Sequence, residues 1–326
     1  MIHFGTIGTG WITAQFIASS KAVPELSYTA AYSRSPEKAS RFAAENGAGH
    51  TFTSLEEMAS SPLIDAVYIA SPNSLHYEQS LLFLKHKKHV ICEKSVASSL
   101  EKVEKLLSAA RENGVVFMEA IITIHMPQLS ALKEAMSRIG RISMARFSYC
   151  QLSSKYPAYL RGELPNIFNP EFETGAAMDI GVYCVYPALL LFGECEHAEA
   201  HAVLSPRNID LCGTAVLRYP GLTAELSYSK IADGRTPSEI QGDQGTILID
   251  RLRFFDGMEL IHTDGSREPI YTMPESTMPM AYEAQAFCDY ITKPSQTKRR
   301  YEEYSRLAVS VSRTLADIRK ASGVCF

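Results

Sequence analysis

The first 120 residues alternate short apolar runs of β-forming residues with stretches whose apolar positions recur at helical spacing. The runs predict six strands, at Ile2–Ile7, Ser27–Tyr32, Thr51–Phe52, Ala66–Ala70, His89–Cys92 and Val115–Met118. Helix starts lie between them, because Ser35 is an N-cap candidate before a proline, and Ser54 and Ser98 each stand three residues before a glutamate in a capping box. Asn113-Gly114 ends the helix that begins near Leu100. Strands alternating with helices predict a parallel, doubly wound α/β sheet.

The pattern changes after about residue 140 to short strands separated by turn residues. These strands are predicted at Arg141–Tyr149, Ala198–Leu204, Thr214–Tyr219, Leu222–Ser229, Ser238–Gln241, Thr246–Ile249 and Met258–His262. Pro220-Gly221 is a hairpin signal, because proline fixes φ and glycine accepts a positive φ. Two helices, Ala281–Ile291 and Tyr301–Ala321, follow, and the second has one apolar stripe formed by Leu307, Val311, Leu315 and Ile318. This half is predicted to be an α+β domain with an open, largely antiparallel sheet.

Length and composition fit this division. A chain of 326 residues with 46% hydrophobic and 21% charged residues fits a soluble protein of two domains. We expect residues 1–120 to bind a dinucleotide and residues 121–326 to bind substrate and form a dimer contact, with the C-terminal helices free to pack back on the first domain.

Charge and cysteine content exclude several classes of partner. A net charge of −4 gives no basic field to attract nucleic acid, and apolar runs such as Ala188–Phe192 are too short to span a bilayer. Seven cysteines without a CxxC pair indicate reduced thiols and a cytoplasmic protein. Cys195, His197, Glu199 and His201 alternate as on a half-exposed strand, so no metal site is expected.

A glycine-rich loop follows the first strand directly. The segment Gly8-Thr9-Gly10-Trp11-Ile12 joins that strand to a helix, as a dinucleotide-binding Rossmann domain requires. The first glycine allows the tight turn and the second allows the pyrophosphate to approach the backbone. The helix N-terminus supplies N–H donors, so the sequence predicts a nicotinamide dinucleotide site.

The end of the second strand favours one form of the cofactor. Proteins specific for NAD keep an acidic residue there for the ribose 2′-hydroxyl, whereas this chain has Ser33 and Arg34, with Lys38 one helical turn later. A hydroxyl and two cations suit a 2′-phosphate, so NADP(H) is the preferred cofactor and NAD(H) is the alternative.

Three further segments show a family resemblance. With the glycine loop, they are Ala70-Ser71-Pro72-Asn73-Ser74-Leu75-His76, Glu93-Lys94-Ser95 and Gly175-Ala176-Ala177-Met178-Asp179-Ile180-Gly181-Val182-Tyr183. Over essentially the whole chain they resemble the glucose–fructose oxidoreductase, inositol dehydrogenase and MocA (Gfo/Idh/MocA) family. The tyrosine that ends the third segment is similar to that of the dihydrodiol dehydrogenase and D-xylose dehydrogenase branch.

The resemblance implies an oxidoreductase that transfers hydride between nicotinamide and a carbon of a sugar, polyol or trans-diol. It places Ser71, Pro72, Asn73, His76, Glu93 and Lys94 at the cofactor. Lys94 and Tyr183 would transfer the proton, because a nearby ammonium lowers the pKa of a phenol. Asp179, four residues before Tyr183 and thus on the same helix face, would position the substrate, with His125 as a further substrate residue.

Two other functions remain open on the same resemblance: a non-catalytic NAD(P)-binding regulator of sugar pathways, and a redox-assisted glycoside hydrolase. The set Lys94, Asp179 and Tyr183 favours the oxidoreductase, since a regulator need not keep it. The second domain has more strands than its own helices can cover, so we expect a homodimer or a higher homo-oligomer.

Overall fold

A computed structural model describes residues 1–324 of the chain, and Cys325 lies outside the described residues. The helices are α1 Trp11–Ser20, α2 Pro36–Asn46, α3 Leu55–Ser60, α4 Asn73–Lys85, α5 Leu100–Asn113, α6 Leu129–Met136, α7 Tyr156–Leu160, α8 Val182–Phe192, α9 Pro279–Thr292 and α10 Pro294–Ala321. The strands are β1 Ile2–Ile7, β2 Leu26–Tyr32, β3 His50–Phe52, β4 Ala66–Ile69, β5 His89–Glu93, β6 Phe117–Ala120, β7 Ile142–Cys150, β8 His197–Leu204, β9 Asp210–Tyr219, β10 Leu222–Ser229, β11 Ser238–Gly242, β12 Gly245–Arg251, β13 Asp256–His262 and β14 Arg267–Tyr271.

The chain divides into two compact units. The first contains Met1–Ile121 and Met278–Val309, and the second contains Ile122–Thr277 and the chain from Ser310 on. The division at Ile121 lies one residue from the predicted boundary. Helix α9 packs against α1 within the first unit, so this unit takes back a part of the C-terminal region.

The first unit is built on a parallel sheet of six strands in the order β3-β2-β1-β4-β5-β6. This is the strand order of a dinucleotide-binding Rossmann fold, and the order reverses between β1 and β4. The central strand β4 is buried on both faces, since all four of its residues are buried. Loops that follow β1, β2, β4 and β5 therefore meet at the carboxyl edge of the sheet.

Local capping signals explain where most helices of this unit begin and end. The Ser35 side chain accepts from Lys38 N–H at the start of α2, and the Ser54 side chain accepts from Glu57 N–H at the start of α3. Gly114, with φ of 68°, ends α5. The N-cap predicted for α5 at Ser98 is wrong by one residue.

The side chain that caps α5 is Ser99, which accepts from the Lys102 backbone N–H at 3.4 Å. The Ser98 hydroxyl instead lies 3.5 Å from the Lys102 ammonium, so it is occupied by a side chain of the same helix. The capping-box pattern of Ser98 and Glu101 favoured the first of two consecutive serines, whereas the second serine makes the capping hydrogen bond.

Strand β6 begins two residues later than predicted, at Phe117 rather than Val115. The Val116 N–H donates to the ring of His89 at 2.9 Å, so it is not available to a neighbouring strand. On the outer side of β6, the Tyr301 hydroxyl accepts from Phe117 N–H at 3.1 Å and donates to Phe117 C=O at 3.0 Å. A side chain of α10 thus satisfies both backbone groups of one residue on this edge strand.

The second unit is built on a sheet of eight strands in the order β14-β13-β12-β11-β7-β10-β9-β8. All neighbouring strands are antiparallel except β7 and β10, which are parallel. Pro220-Gly221 forms the predicted hairpin, with Tyr219 opposite Leu222 and φ of 74° at Gly221. Strand β14, which contains Pro269, was not predicted. The proline is tolerated here because β14 is an edge strand.

Two helical regions differ from their predicted extents. Helix α10 begins at Pro294 rather than Tyr301, because proline suits the first helical position, while its first turns are exposed and carry no apolar stripe. The predicted stripe is present, with Val311, Leu315 and Ile318 buried.

By length and mean hydropathy alone, the stretch Pro170–Phe192 is apolar enough to cross a membrane, so the prediction that the apolar runs are too short to span a bilayer is wrong here. However, 78% of its apolar window is buried inside the protein, as in the core helix of a soluble protein.

Candidate active site

The glycine loop after β1 has the geometry that a dinucleotide requires. Gly8 has φ of 110°, and a Cβ atom there would lie 2.5 Å from the Ala70 carbonyl oxygen, so only glycine fits. Around Gly10, by contrast, no atom of residues 1–324 outside Gly10 and its two chain neighbours lies within 4 Å of the position a Cβ would take. Gly10 is also the N-cap of α1 and caps it with no side chain, so the first N–H groups of the helix remain available to an anion.

A cleft of about 440 Å³ adjoins this loop at the carboxyl edge of the first sheet. Its walls contain six of the residues predicted for the cofactor, namely Gly8, Thr9, Ser33, Arg34, Ser71 and Pro72. They also contain six residues that were not predicted to bind the cofactor, namely Ile7, Tyr32, Leu55, Ala70, Leu75 and Gln79. The cleft lies at the strand-order reversal, where ligands bind in open α/β sheets.

The remaining predicted cofactor residues do not line this cleft. Trp11 is 69% exposed on the first turn of α1, followed by Ile12, and Lys38 is exposed on α2. Asn73 is the first residue of α4. His76, Glu93 and Lys94 lie around the end of β5 and are described below.

Arg34 and Lys38 are both exposed at the start of α2. Within residues 1–324, the Arg34 guanidinium makes no ion pair or hydrogen bond. The nearby Ser35 hydroxyl donates to Glu37 at 2.7 Å and holds the pKa of that carboxyl below its usual range. The Glu37 carboxylate is thus hydrogen-bonded at the start of α2, and the Arg34 guanidinium is available to a ligand.

Buried polar contacts fix the residues around the end of β5. The Tyr68 hydroxyl donates to Glu93 at 2.6 Å, and the Tyr68 ring stacks on Phe16 with 3.9 Å between ring centroids. Lys94 follows directly, and the peptide bond between Lys94 and Ser95 is cis. Glu93 therefore orients the chain from which the Lys94 side chain emerges.

His76 joins two loops of the cofactor region. Its ring nitrogens lie 3.1 Å from the Ser95 carbonyl oxygen and 2.7 Å from the Ser71 carbonyl oxygen. Burial lowers the pKa of His76 to about 4, although both carbonyls oppose this shift. The ring is therefore neutral at physiological pH and acts through its hydrogen bonds, which connect the loop after β4 to the loop after β5.

In the second unit, Asp179 lies in a turn of π-helix, Ala177–Gly181, that leads directly into α8. The buried Asp210 carboxylate accepts from Ala177 N–H at 2.6 Å and caps this turn. A Cβ at Gly175, which has φ of 119°, would lie 2.1 Å from the Asp210 oxygen, so glycine is required. Burial raises the pKa of Asp210 to about 6, and the Ala177 N–H opposes that shift.

Each of the two predicted catalytic residues of this unit has a cationic neighbour. The Lys230 ammonium lies 2.7 Å from Asp179, with side-chain exposures of 11% and 27%, respectively. The Arg253 guanidinium lies 4.9 Å from the centroid of the buried Tyr183 ring, and Tyr149 contacts the same ring edge-to-face. Charged groups thus surround the predicted proton carrier and substrate residue.

Asp179 lies in the π-turn and Tyr183 lies in α8, so the two residues do not belong to one regular α-helix. The expectation that they share one helix face stays a prediction. The π-turn packs on β10, the strand just before Lys230, whereas α8 packs on the turn Leu252–Phe254 that carries Arg253. Neither Lys230 nor Arg253 was predicted, since neither lies in a motif and both reach the site through sheet register.

His125 is buried at the end of a 3₁₀ turn, Ile122–His125. This turn packs against α8 and against Leu252–Phe254, and Thr123 donates to the Arg253 carbonyl oxygen at 2.8 Å. His125, Tyr183 and Arg253 therefore belong to elements that pack together, which supports a site at this place. Among the described residues, no group of three or more His, Cys, Asp or Glu is arranged to hold a metal ion.

The residues of the first unit fit a nicotinamide dinucleotide. The space above Gly10 has no side chain to fill it, the first turn of α1 is uncapped, and Arg34 lines the adjoining cleft. These are the features that accept a pyrophosphate and a ribose phosphate. The fold and this site define a Rossmann-fold oxidoreductase that depends on NAD(P).

Sequence comparisons identify the family. Residues 2–121 match the oxidoreductase family model with the NAD-binding Rossmann fold, and residues 131–248 match the GFO/IDH/MocA C-terminal domain. The chain belongs to the Gfo/Idh/MocA family of oxidoreductases, whose members act on sugars, polyols and diols.

Two curated relatives span the whole chain. One is scyllo-inositol 2-dehydrogenase (NADP(+)) IolU of Bacillus subtilis (strain 168), 42% identical over 100% of this chain and 98% of the relative. The other is trans-1,2-dihydrobenzene-1,2-diol dehydrogenase of Danio rerio, 26% identical over 100% of this chain and 98% of the relative. Both are dehydrogenases, so the assignment to an enzyme of this class agrees with the site.

Solved structures share the fold. KijD10, a 3-ketoreductase from Actinomadura kijaniata in complex with NADP and TDP-benzene, aligns with a TM-score of 0.85 at 23% identity and covers 98% of each chain. A levoglucosan dehydrogenase in complex with NADH and levoglucosan aligns with a TM-score of 0.85 at 21% identity, over 99% of this chain and 97% of that one.

Substitutions of the two loop glycines should affect different properties, one the stability of the fold and the other the binding of the cofactor. We expect Gly8→Ala to lower the free energy of unfolding of the first unit by about 2–4 kcal/mol, because it combines a positive φ with a clash against the Ala70 carbonyl oxygen. Gly10→Ala should stay within about 1 kcal/mol of the wild type. It should nevertheless weaken NADP⁺ binding by roughly tenfold or more, because its methyl group enters the pyrophosphate space.

Chemical denaturation and a fluorescence titration with NADP⁺ would measure the two effects. A Gly8→Ala protein as stable as the wild type would contradict the geometry of the loop. A Gly10→Ala protein with unchanged NADP⁺ affinity would show that the pyrophosphate binds elsewhere.

Proposed function

We propose that this protein is an NADP(H)-dependent dehydrogenase of a cyclic polyol, and that it works in the cytoplasm. The observation that carries the proposal is a pair of contacts in the second unit, where Asp179 and Tyr183 each have a cationic neighbour. The relative at 42% identity is named as an NADP(+)-dependent dehydrogenase of scyllo-inositol, and this supports the same class of substrate here.

The bound dinucleotide would supply the hydride exchange, and the protein would supply the rest. Gly8, Gly10 and the first turn of α1 would hold the pyrophosphate. The substrate hydroxyl must lose its proton when its carbon is oxidised, and regain it in the reverse direction. Lys94 and Tyr183 are proposed to carry this proton as one functional unit, with Asp179 accepting a hydrogen bond from a substrate hydroxyl.

Contacts within the second unit support the role of Tyr183. Its ring is only 4% exposed and is held between Tyr149 and the Arg253 guanidinium, so its orientation is fixed. Arg253 is itself held, since Thr123 donates to its carbonyl oxygen. A rigidly held phenol beside a positive charge is suited to exchange a proton with a hydroxyl group.

The cytoplasmic assignment rests on the cysteines and on burial of the apolar helix. The six cysteines among the described residues are all free thiols, as expected in a reducing compartment. The apolar stretch Pro170–Phe192 is mostly buried in the protein.

We propose self-association through the sheet face of the second unit that is turned away from α8. This face is less apolar than the sequence suggested, because Arg146 at its centre pairs with Glu225 and Glu239 on the neighbouring strands. In the same cross-strand row of residues, apolar side chains lie on either side of these charged residues. One of them is Val216, which lies opposite Glu225 and is 39% exposed. Alternating charged and apolar positions are suited to a self-complementary twofold contact.

Arg34 should determine the cofactor preference. We expect NADP⁺ to bind more tightly than NAD⁺ by about 1–3 kcal/mol, and Arg34→Ala to remove most of that difference, because a charge-assisted contact to the 2′-phosphate is lost. NAD⁺ affinity should not change. Intrinsic fluorescence titrations would measure both affinities.

Arg41→Ala is a matched control for this test, because Arg41 lies on α2, the helix that begins just after Arg34, and its partner among the described residues is Glu45 in an exposed ion pair. It should bind both cofactors as the wild type does. Equal wild-type affinities for the two cofactors, or full NADP⁺ affinity in Arg34→Ala, would disprove the preference.

Lys94 and Tyr183 should behave as one unit in turnover. Lys94→Met and Tyr183→Phe are each expected to lower kcat by ~10²–10⁴-fold, because each removes a partner in proton transfer. The double variant should lose little more than either single variant, since residues that act together are not additive. Steady-state NADPH absorbance on the best polyol of a panel would measure these rates.

Tyr282→Phe serves as the control, because Tyr282 is 37% exposed and should keep wild-type turnover. If Tyr183→Phe retains near-wild-type turnover, the proposed unit does not exist. Losses that multiply in the double variant would mean that the two residues act independently. A wild type that binds NADP⁺ but turns over no polyol would favour a non-catalytic regulator.

Light scattering at micromolar concentration should find a dimer or a larger oligomer. Val216→Arg is expected to weaken the assembly, because it places a further charge in the proposed twofold contact. Leu63→Arg is the control, since Leu63 has the same 39% exposure but lies in the first unit. A monomeric wild type, or Val216→Arg with the wild-type mass, would contradict this contact.

A further inference from the structure

Lys230 is a buried cation to which the proton transfer proposed above gives no role of its own. The residue is 9% exposed and directly follows β10. Its backbone is held on both sides, because its N–H donates to Leu211 C=O and its C=O accepts from Ser153 N–H, both at 2.9 Å. The start of this side chain is therefore fixed by the sheet.

Within the part of the chain that the structure describes, Asp179 is the partner of the Lys230 ammonium, at 2.7 Å. An ammonium has three N–H donors, and one contact to a carboxylate oxygen uses one of them. Two donors remain on a side chain of which only 11% is exposed. Buried donors without acceptors cost free energy, so a ligand that brings oxygen atoms would bind favourably there.

The Asp179 carboxylate presents the complementary function. A carboxylate has about four lone-pair sites, so the Asp179 oxygens can accept a hydrogen bond from a hydroxyl group in addition to the contacts that they make within the protein. Its side chain is 27% exposed, which allows a small molecule to reach it. An acceptor and a donor thus stand side by side, only 2.7 Å apart.

We propose that Lys230 is a substrate-binding residue, and that the Lys230–Asp179 pair recognises two neighbouring hydroxyl groups of the substrate. One hydroxyl donates to Asp179, and the oxygen of the next hydroxyl accepts from Lys230. The substrate class is therefore a vicinal diol or polyol rather than an isolated alcohol. This inference rests on the proposed function, in which Asp179 faces the substrate.

The test combines removal of the ammonium with removal of a hydroxyl. Wild type and Lys230→Met are assayed with NADP⁺ on scyllo-inositol and on its monodeoxy analogue, which lacks one neighbouring hydroxyl. In the wild type, the deoxy analogue should lose about 10–100-fold in kcat/KM, as expected for a hydrogen bond to a charged group. Lys230→Met should lose a similar factor on scyllo-inositol, mainly through KM, but no more than a few-fold further on the deoxy analogue.

If the loss caused by Lys230→Met and the loss caused by the missing hydroxyl multiply, the proposal is overturned. Such a result would show that Lys230 only supports Asp179. Lys133→Met, which removes an exposed lysine of the same unit, should match the wild type on both substrates. NADP⁺ affinity should be unchanged in all these proteins, since the glycine loop belongs to the first unit.

Lys230→Met leaves a partly buried carboxylate without its cation, which could prevent folding. The double variant Lys230→Met/Asp179→Asn removes both charges and keeps both shapes, and it should fold and bind NADP⁺. If it turns over, it should no longer discriminate between the two substrates, and a remaining tenfold preference for scyllo-inositol would overturn the proposal. If the double variant folds and binds NADP⁺ but has no measurable turnover, binding of the two cyclic polyols is compared by thermal shift, and an unchanged preference again overturns the proposal.

Assays of the wild-type protein distinguish a failure of this inference from a failure of the proposed function on which it rests. A wild type that oxidises a polyol but shows no coupling between Lys230 and the neighbouring hydroxyl overturns the inference alone. A wild type that oxidises none of the cyclic polyols overturns both.

Discussion

The need to pair buried polar groups controls the local structure of both candidate sites. In the first unit, Glu93 is fixed by the Tyr68 hydroxyl, and His76 holds two loop carbonyls. In the second unit, Asp210 satisfies the N–H of Ala177 and so sets where the π-turn begins. Because an unpaired polar group in a protein interior costs about 1–3 kcal/mol, these few contacts restrict the backbone more strongly than apolar packing alone.

The two units recognise ligands by different physical means. The first offers mainly backbone, since Gly8 and Gly10 matter for the side chains they lack and α1 contributes N–H groups. The second offers charged side chains in pairs, with Lys230 on Asp179 and Arg253 on Tyr183. A backbone site tolerates changes of sequence as long as its glycines remain, whereas a site of paired charges changes specificity with a single substitution. Whole-chain relatives at 42% and 26% identity are named for different substrates, scyllo-inositol and a dihydrobenzene diol.

The sequence predicted what short segments determine on their own. The glycine loop, the caps at Ser35 and Ser54, and the Pro220-Gly221 hairpin depend on a few consecutive residues, and the structure shows them as expected. The partners Lys230 and Arg253 could not be predicted, because they reach Asp179 and Tyr183 through the register of strands far apart in the chain. The π-turn was missed for a related reason, since its cap, Asp210, comes 33 residues after Ala177.

The Tyr301 hydroxyl has a consequence for the solubility of the protein. An exposed edge strand presents unpaired backbone groups that can recruit a strand from another molecule, and this is a common route to aggregation. On β6, the hydroxyl occupies both the N–H and the C=O of Phe117 from the side on which such a strand would add. One phenol therefore blocks growth of the parallel sheet at this edge, and it does so without a charge, a proline or a bulge.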